Sequence, residues 1–134
     1  MRRAMAAAAV AVTLFLVAAA CGGPRNSLNT ATGICYRALG VAGNAVHHKG
    51  RFLGVRRAKA RNVAKYMPAA ATIREDEVCV VGFQGEFRPG DVTDANPPGP
   101  GRYAVIAVTR GDPHLIGARV VDDLPLSFRR HLGL

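Results

Sequence analysis

The sequence predicts an α+β fold, in which a small antiparallel sheet of four or five strands carries one helix packed on a face. Two observations support this prediction. Three short apolar runs rich in β-branched residues are separated by turn residues, a pattern typical of strands. One longer segment has apolar residues at helical spacing and ends at a proline. With 134 residues, of which 49% are hydrophobic, the chain suffices for one ordinary domain and is too apolar to be disordered.

The strongest strand predictions lie in the second half of the chain. Glu77–Phe83 (EVCVVGF) is apolar at nearly every position, so we expect it to be buried on both faces in the centre of the sheet. Arg102–Thr109 and Leu115–Val121 are separated only by the turn residues Arg110–Pro113. These two segments therefore predict an antiparallel hairpin.

The remaining segments carry weaker patterns. Ile34–Val41 and Arg51–Val55 are predicted as short strands, although glycines interrupt this part of the chain. Gln84–Gly101 is rich in proline and glycine and is predicted to be a long loop. Leu124–Leu134 is predicted to be a tail. Three of its apolar residues are available for packing onto the domain: Leu124, Leu126 and Phe128.

One helix is predicted over Arg56–Met67 (RRAKARNVAKYM), where alanine and basic residues dominate. Pro68 ends it, because proline cannot continue a helix. Four apolar residues fall at helical spacing and are expected to face the core: Ala60, Val63, Ala64 and Met67.

The N-terminal segment has the layout of a secretory signal peptide. Met1–Arg3 is positively charged, residues 4–20 are uncharged and apolar, and small residues precede Cys21. The run Val17–Cys21 (VAAAC) resembles the lipobox of bacterial lipoproteins, although that family most often has Leu at the position of Ala18. The resemblance implies that Cys21 carries a diacylglyceryl group and that the chain is cleaved just before it. Codon-biased richness in Ala, Arg, Gly and Pro suggests a high-GC Gram-positive source.

Two other interpretations of this segment stay open. An ordinary signal peptide would be cleaved after Ala18 or Ala20, and the protein would then be released. An uncleaved membrane helix is disfavoured, because alanine is nearly neutral for membrane insertion. The predicted organisation is a signal peptide over residues 1–20, a lipidated cysteine with a flexible tether over 21–33, and one domain over 34–134. Each interpretation places the domain outside the cytoplasmic membrane.

The cysteine count agrees with export. If Cys21 is lipidated, Cys35 and Cys79 remain as an even pair, and disulfides persist outside the cytoplasm. We therefore predict a Cys35–Cys79 bridge. Two buried free thiols are the alternative, because Cys79 lies within an apolar run.

Basic residues give the mature chain its most distinctive pattern. The formal net charge is +9, and residues 47–65 contain seven Lys or Arg and no acid. On the predicted helix Arg57, Arg61 and Lys65 would form one stripe, and such a stripe can bind anionic lipid headgroups or cell-wall polymers. A solvated helix face in an arginine-biased protein is the alternative. Nucleic acid is a disfavoured partner, because the chain carries an export signal. The predicted anionic-surface residues are Arg56, Arg57, Lys59, Arg61 and Lys65.

Metal-binding and catalytic patterns are weak. The four histidines, His47, His48, His114 and His131, lack metal-ligand spacing, so we interpret them as loop residues. Three oxygen-bearing residues at 91, 94 and 96 could suit calcium, but turn formation explains them equally well. We find no nucleophile, metalloprotease or phosphate-loop motif. The sequence therefore predicts no metal, no cofactor and no enzymatic activity.

These observations favour a non-catalytic accessory or binding module of the cell envelope, anchored through Cys21 to the outer face of the membrane. A secreted, soluble ligand-binding or inhibitory domain without the lipid anchor is the main alternative. A metal-dependent enzyme using His47 or His48 is a further alternative. The sequence does not identify a protein partner.

Overall fold

The computed structural model describes the backbone of residues 30–134 and the side chains of 33–130 and 132–134. The predicted signal peptide, the lipidation site Cys21 and most of the predicted tether lie outside these residues. The centre of the fold is a four-stranded antiparallel sheet in the order β1-β2-β3-β4. The predicted α+β class with a four-stranded sheet is confirmed. The strands are β1 Arg51–Lys59, β2 Glu77–Phe87, β3 Gly101–Thr109 and β4 Leu115–Val121.

Short helices cover both faces of this sheet, whereas the sequence predicted one helix. Their bounds are α1 Thr30–Cys35, α2 Ala38–Ala45, α3 Ala60–Val63, a 3-10 helix Pro68–Thr72 and α4 Leu126–Leu132. We call the side of the sheet covered by α1 and α2 the first face. We call the side covered by α3, the 3-10 helix and α4 the second face.

Strand β2 supplies both halves of the core, because successive side chains of a strand point to opposite faces. Cys79, Val81 and Phe83 belong to the cluster that packs against α2, and Val78 and Val80 belong to the cluster that packs against α4. All five side chains are less than 9% exposed. The prediction of a central strand buried on both faces is therefore confirmed.

The predicted strand over Ile34–Val41 is wrong, because this segment forms the end of α1 and the first half of α2. Ala38, Ala42 and Ala45 are buried against the first face. They are spaced four and three residues apart, which places them on one side of a helix. Gly33, the last residue of the predicted tether, also lies in α1.

The predicted helix over Arg56–Met67 is largely wrong. Strand β1 continues to Lys59, which lies opposite Glu77, and helical structure is confined to Ala60–Val63 and the turns that follow. Pairing with β2 outweighs the helix propensity of alanine and arginine, because it gives the backbone N–H and C=O groups hydrogen-bond partners and buries both Val55 and Ala58. The basic residues of this segment therefore do not form a helical stripe.

Two features hold the outer layers to the sheet. The predicted bridge is present: Cys35 of α1 and Cys79 of β2 form a disulfide with a Cα–Cα distance of 5.7 Å. The predicted tail forms α4, where Phe128 is 1% exposed and Leu132 lies where a side chain of Gly82 would otherwise be. The prediction that Leu126 is available for packing is wrong, because this side chain is 69% exposed.

Candidate anionic-surface site

Two of the five predicted anionic-surface residues, Arg57 and Lys59, surround a carboxylate on the first face. Their partners in the β1–β2 register are Cys79 and Glu77, and opposed residues share a face of the sheet. Arg57 Nε lies 3.6 Å from Glu77 Oε2, and Lys59 Nζ lies 3.3 Å from Oε1. Arg110 approaches Oε2 to 2.8 Å from the other side. These cations are therefore partly neutralised within the protein.

The charge balance around Glu77 shifts its pKa. Partial burial alone would raise the pKa of this carboxyl group. The hydrogen bond from Lys59 and the charges of Arg57, Lys59 and Arg110 together outweigh that effect and lower the pKa below its ordinary value. The ionised carboxylate is thus the form that fits this cluster.

Arg61 faces a groove of mixed charge. The groove has a volume of about 500 Å³ and is lined by Lys59 and Arg61, but also by Glu75 and Asp76. Glu75 in turn accepts hydrogen bonds from the backbone N–H groups of Arg110 and Gly111. An anionic partner would meet carboxylates as well as cations here, so this groove is a poor site for it.

Arg56 lies on the second face, at the end of α4. Its β2 partner is Val80, a second-face residue, and its guanidinium lies where a side chain of Gly133 would otherwise be. Gly133 has a positive φ of 72°, and the N–H groups of Gly133 and Leu134 donate to the carbonyl groups of Arg130 and Arg129. This is a Schellman end, and it accounts for the glycine. The cation of Arg56 also complements the negative end of the helix.

The fifth predicted residue, Lys65, lines a different kind of groove. The groove has a volume of about 510 Å³ and lies between α4 and the segment formed by α3 and the turn that follows it. No carboxylate is among the described residues that line it. In the part of the chain that the structure describes, Lys65 and Arg130 also have no ion-pair partner. The groove is lined by Asn62, Lys65, Tyr66, Ser127 and Arg130; we call it the α4 groove.

The wall of the α4 groove is well supported. The ring of Tyr66 packs edge-on against that of Phe128, with 4.1 Å between the ring centroids. Burial raises the pKa of Tyr66, so its phenol stays neutral at physiological pH. Arg119 of β4 donates a 2.8 Å hydrogen bond to the backbone carbonyl of Tyr66. The groove therefore offers two cations and neutral hydrogen-bonding groups on a packed base, a set that suits an anionic group such as a phosphate.

The outer surface of α4 combines charge with exposed apolar side chains. Arg129 and Arg130 follow Leu126 by three and four residues, so all three side chains lie on the side of the helix that points to solvent. Leu126 is 69% exposed, and Leu134, just beyond the helix, is 59% exposed. Large aliphatic side chains with this exposure, flanked by arginines, are a feature of surfaces that meet a membrane or a partner.

The remaining candidate residues stay apart. His47 and His48 are exposed in the turn after α2, where both have positive φ angles, and His114 lies 2.8 Å from Asp112. His131 lies in α4 and not in a loop as predicted, and its side chain lies outside the described residues. Among the described residues, no group of three or more histidine, cysteine, aspartate or glutamate side chains could hold a metal ion.

The loop carboxylates have partners within the protein. Asp91 Oδ1 accepts a 2.7 Å bond from Lys49, and Oδ2 accepts one from the backbone N–H of Arg88. The hydrogen bond from Lys49, followed by that from Arg88, lowers the pKa of Asp91. Asp94 has a positive φ of 55°, and the N–H of Asn96 donates to Ala118. These contacts match the interpretation of Asp91, Asp94 and Asn96 as turn residues rather than calcium ligands.

Arg129 and Arg130 were not predicted as site residues, because the last eleven residues were interpreted as a tail. The signal was present: Phe128 and Leu132 are four residues apart, which predicts a short amphipathic helix with the arginines on its outer side. No helix among residues 30–134 is long and apolar enough to cross a membrane. No protein-family model, curated protein or solved structure is detectably similar to the chain.

Proposed function

We propose that the protein is an exported lipoprotein, anchored through Cys21 to the outer face of the cytoplasmic membrane. In this proposal the fold over residues 30–134 is a non-catalytic accessory or binding module of the cell envelope. Its second face, with the α4 groove and the arginines of α4, engages an anionic component of the envelope. The candidate components are lipid headgroups and cell-wall polymers.

The disulfide is the observation that carries this proposal. Cys35 and Cys79 are both 0% exposed and are bridged between α1 and the central strand, so the bridge is part of the core. Structural disulfides are typical of proteins that fold outside the reducing cytoplasm. The bridge also uses two of the three cysteines. The third, Cys21, stands at the position that carries the lipid in lipobox-type signals.

The distribution of charge supports a binding role for the second face. Three cations of the first face, Arg57, Lys59 and Arg110, are held by Glu77. Lys65 and Arg130 instead line a groove without carboxylates among the described residues. A preorganised anion site needs cations that are not already neutralised by the protein itself. The second face meets this requirement better than the β1 residues that the sequence first suggested.

Mass spectrometry of the mature protein tests the anchor. We expect an N-terminal Cys21 that carries a diacylglyceryl group, and recovery of the protein in the membrane fraction. The Cys21→Ser variant should lose the modification and leave that fraction, while its Cys35–Cys79 bridge stays intact. An unmodified Cys21, or cleavage at another position with release of the protein, would contradict the anchor and favour the secreted soluble alternative.

A further inference from the structure

We propose that the second face docks flat on an anionic phospholipid bilayer, with Leu126 and Leu134 entering the acyl boundary and the α4 groove holding a lipid phosphate. This deepens the proposed function, because it assumes a location outside the membrane and names the ligand. Leu126, the first residue of α4, is 69% exposed, and Leu134, two residues beyond the end of α4, is 59% exposed. Arg129 and Arg130 lie between them in the chain.

Charge and apolar surface together identify the partner. A hydrated anionic polymer offers phosphate or carboxylate groups but no apolar phase for exposed leucines. A bilayer offers both, since interfacial segments bury their apolar side chains at the boundary between headgroups and acyl chains while cations attract anionic lipids. The combination on α4 therefore favours a bilayer over a wall polymer.

The α4 groove adds a site for a single headgroup. Its lining provides the ammonium of Lys65, the guanidinium of Arg130, the amide of Asn62 and the hydroxyl of Ser127. A phosphate diester can accept from all four of these donors. Ser127, which lines this groove of about 510 Å³, directly follows Leu126, the first residue of α4.

The anchor and the docked face are compatible in length. Eight residues lie between Cys21 and Thr30, the first residue of α1, and an extended chain over these nine steps reaches about 30 Å. Layers of helix and sheet pack about 10 Å apart, so α1 and α4 lie about 20 Å apart on opposite sides of the sheet. A lipid on Cys21 can thus enter the bilayer on which α4 lies.

The test uses the mature protein as purified from cells, on vesicles of phosphatidylcholine with or without phosphatidylglycerol. A fluorescent label is placed on Pro125→Cys, an exposed position beside α4 at the second face, or on Asn44→Cys of α2 at the first face. The vesicles carry a quencher in the acyl region. We expect quenching of the Pro125→Cys label that requires phosphatidylglycerol and weakens at high salt, and little quenching of the Asn44→Cys label.

Charge variants measure the contribution of the groove. In the Pro125→Cys background, Lys65→Gln with Arg130→Gln should weaken docking about 30-fold, because each cation near an anionic surface contributes about fivefold. The control removes the same charge elsewhere through Arg37→Gln and Arg88→Gln, which are exposed and outside the second face. We expect the control to change docking less than threefold. Equal losses in both double variants would overturn the proposed site.

A leucine variant separates the bilayer from a polymer. Leu134→Ser should weaken docking about tenfold, since it removes apolar surface and leaves every charge in place. Loss through the charge variants without loss through Leu134→Ser would overturn the bilayer in favour of a hydrated anionic ligand. If a lipidated protein stays on the vesicles but its label is not quenched, the lipid anchor is supported and the docking of the second face is contradicted. If an unlipidated protein binds the vesicles through α4, docking is supported and the lipid anchor is contradicted.

Discussion

The two faces of the sheet are held and charged in opposite ways. On the first face a disulfide joins α1 to the central strand, and Glu77 draws Arg57, Lys59 and Arg110 into one cluster. On the second face α4 is held without a covalent link, through the packing of Phe128 and Leu132. Its cations face solvent around a groove that no carboxylate lines among the described residues.

This difference separates a fixed side from a side suited to binding. Cations satisfied by an internal carboxylate gain little from an external anion, because binding would first have to disrupt existing pairs. Cations held on a packed helix without such a carboxylate remain available. A module of this kind can therefore use its first face for stability and its second face for contact, and each assignment can be tested separately.

The largest effect is expected from removing the anchor of α4. Phe128→Ala should lower the free energy of unfolding by about 3–5 kcal/mol, because it empties a site that is 1% exposed and removes the ring contact with Tyr66. Leu126→Ala is the matched control on the exposed side of the same helix and should change stability by less than about 0.5 kcal/mol. Denaturant unfolding measures both. Similar values for the two variants would mean that α4 is not part of the cooperative fold.

Loss of the disulfide is expected to come next in size. The bridge closes a sequence separation of 44 residues, for which chain entropy gives about 4 kcal/mol as an upper value. The free energy of unfolding should therefore be about 2–4 kcal/mol lower under reducing than under oxidising conditions. Reduction should also increase amide hydrogen exchange in the folded protein, first in α1 and α2 and less in α4. Faster exchange in α4 than in α2 would contradict the division between the two faces.

The sequence predicted the strands best where burial on both faces leaves a continuous apolar run. Strands β2, β3 and β4 are of this kind, and their central segments were recognised. The prediction of secondary structure was wrong where the local propensity of a segment disagrees with its contacts in the folded protein. Arg56–Lys59 has helix-forming composition, but the edge of β2 provides a hydrogen-bonding partner that outweighs it. Ile34–Val41 contains β-branched residues, but the alanines beside them pack as a helix.

The candidate site depended on the same failures. Three of the five predicted cations, Arg57, Lys59 and Arg61, lie near carboxylates that are distant in sequence, and no linear pattern reveals such contacts. Lys65 remained a candidate, but its neighbour Arg130 is 65 residues away in the chain and joins it only through the packing of α4. The disulfide was predictable, because two cysteines remain once Cys21 is assigned to the lipid, and cysteine pairs outside the cytoplasm usually form disulfides.

A smaller effect is expected from two glycine substitutions, one on each side of the sheet. Gly133→Ala should destabilise the protein by about 1–2 kcal/mol, because its φ of 72° is strained for alanine and a side chain would displace the guanidinium of Arg56. Gly40→Ala in α2 should instead stabilise it by about 0.5–1 kcal/mol, since a side chain there meets open space within a helix. Thermal unfolding measures the signs. A stabilising effect of Gly133→Ala would contradict the Schellman end of α4, and a destabilising effect of Gly40→Ala would contradict the open, helical position in α2.

The smallest expected effect concerns the pH dependence of the first face. The pKa of Glu77 is lowered in the folded state from an ordinary value of 4.5, so its contribution to stability is complete above pH 4.5 and is lost as the pH falls through the lowered pKa. Glu77→Gln should destabilise the protein at neutral pH, because three cations lose their shared partner, and should flatten the decline in stability below pH 4.5.

Asp123→Asn is the control for this titration, since the Arg102–Asp123 pair is an exposed ion pair whose aspartate side chain is 86% accessible. Surface pairs of this kind contribute little, so its acid unfolding profile should match that of the unmodified protein. An unchanged profile in Glu77→Gln as well would mean that the cations of the first face are not held by Glu77. They would then be as available to an anionic partner as those of α4, and the contrast between the two faces would no longer explain where such a partner binds.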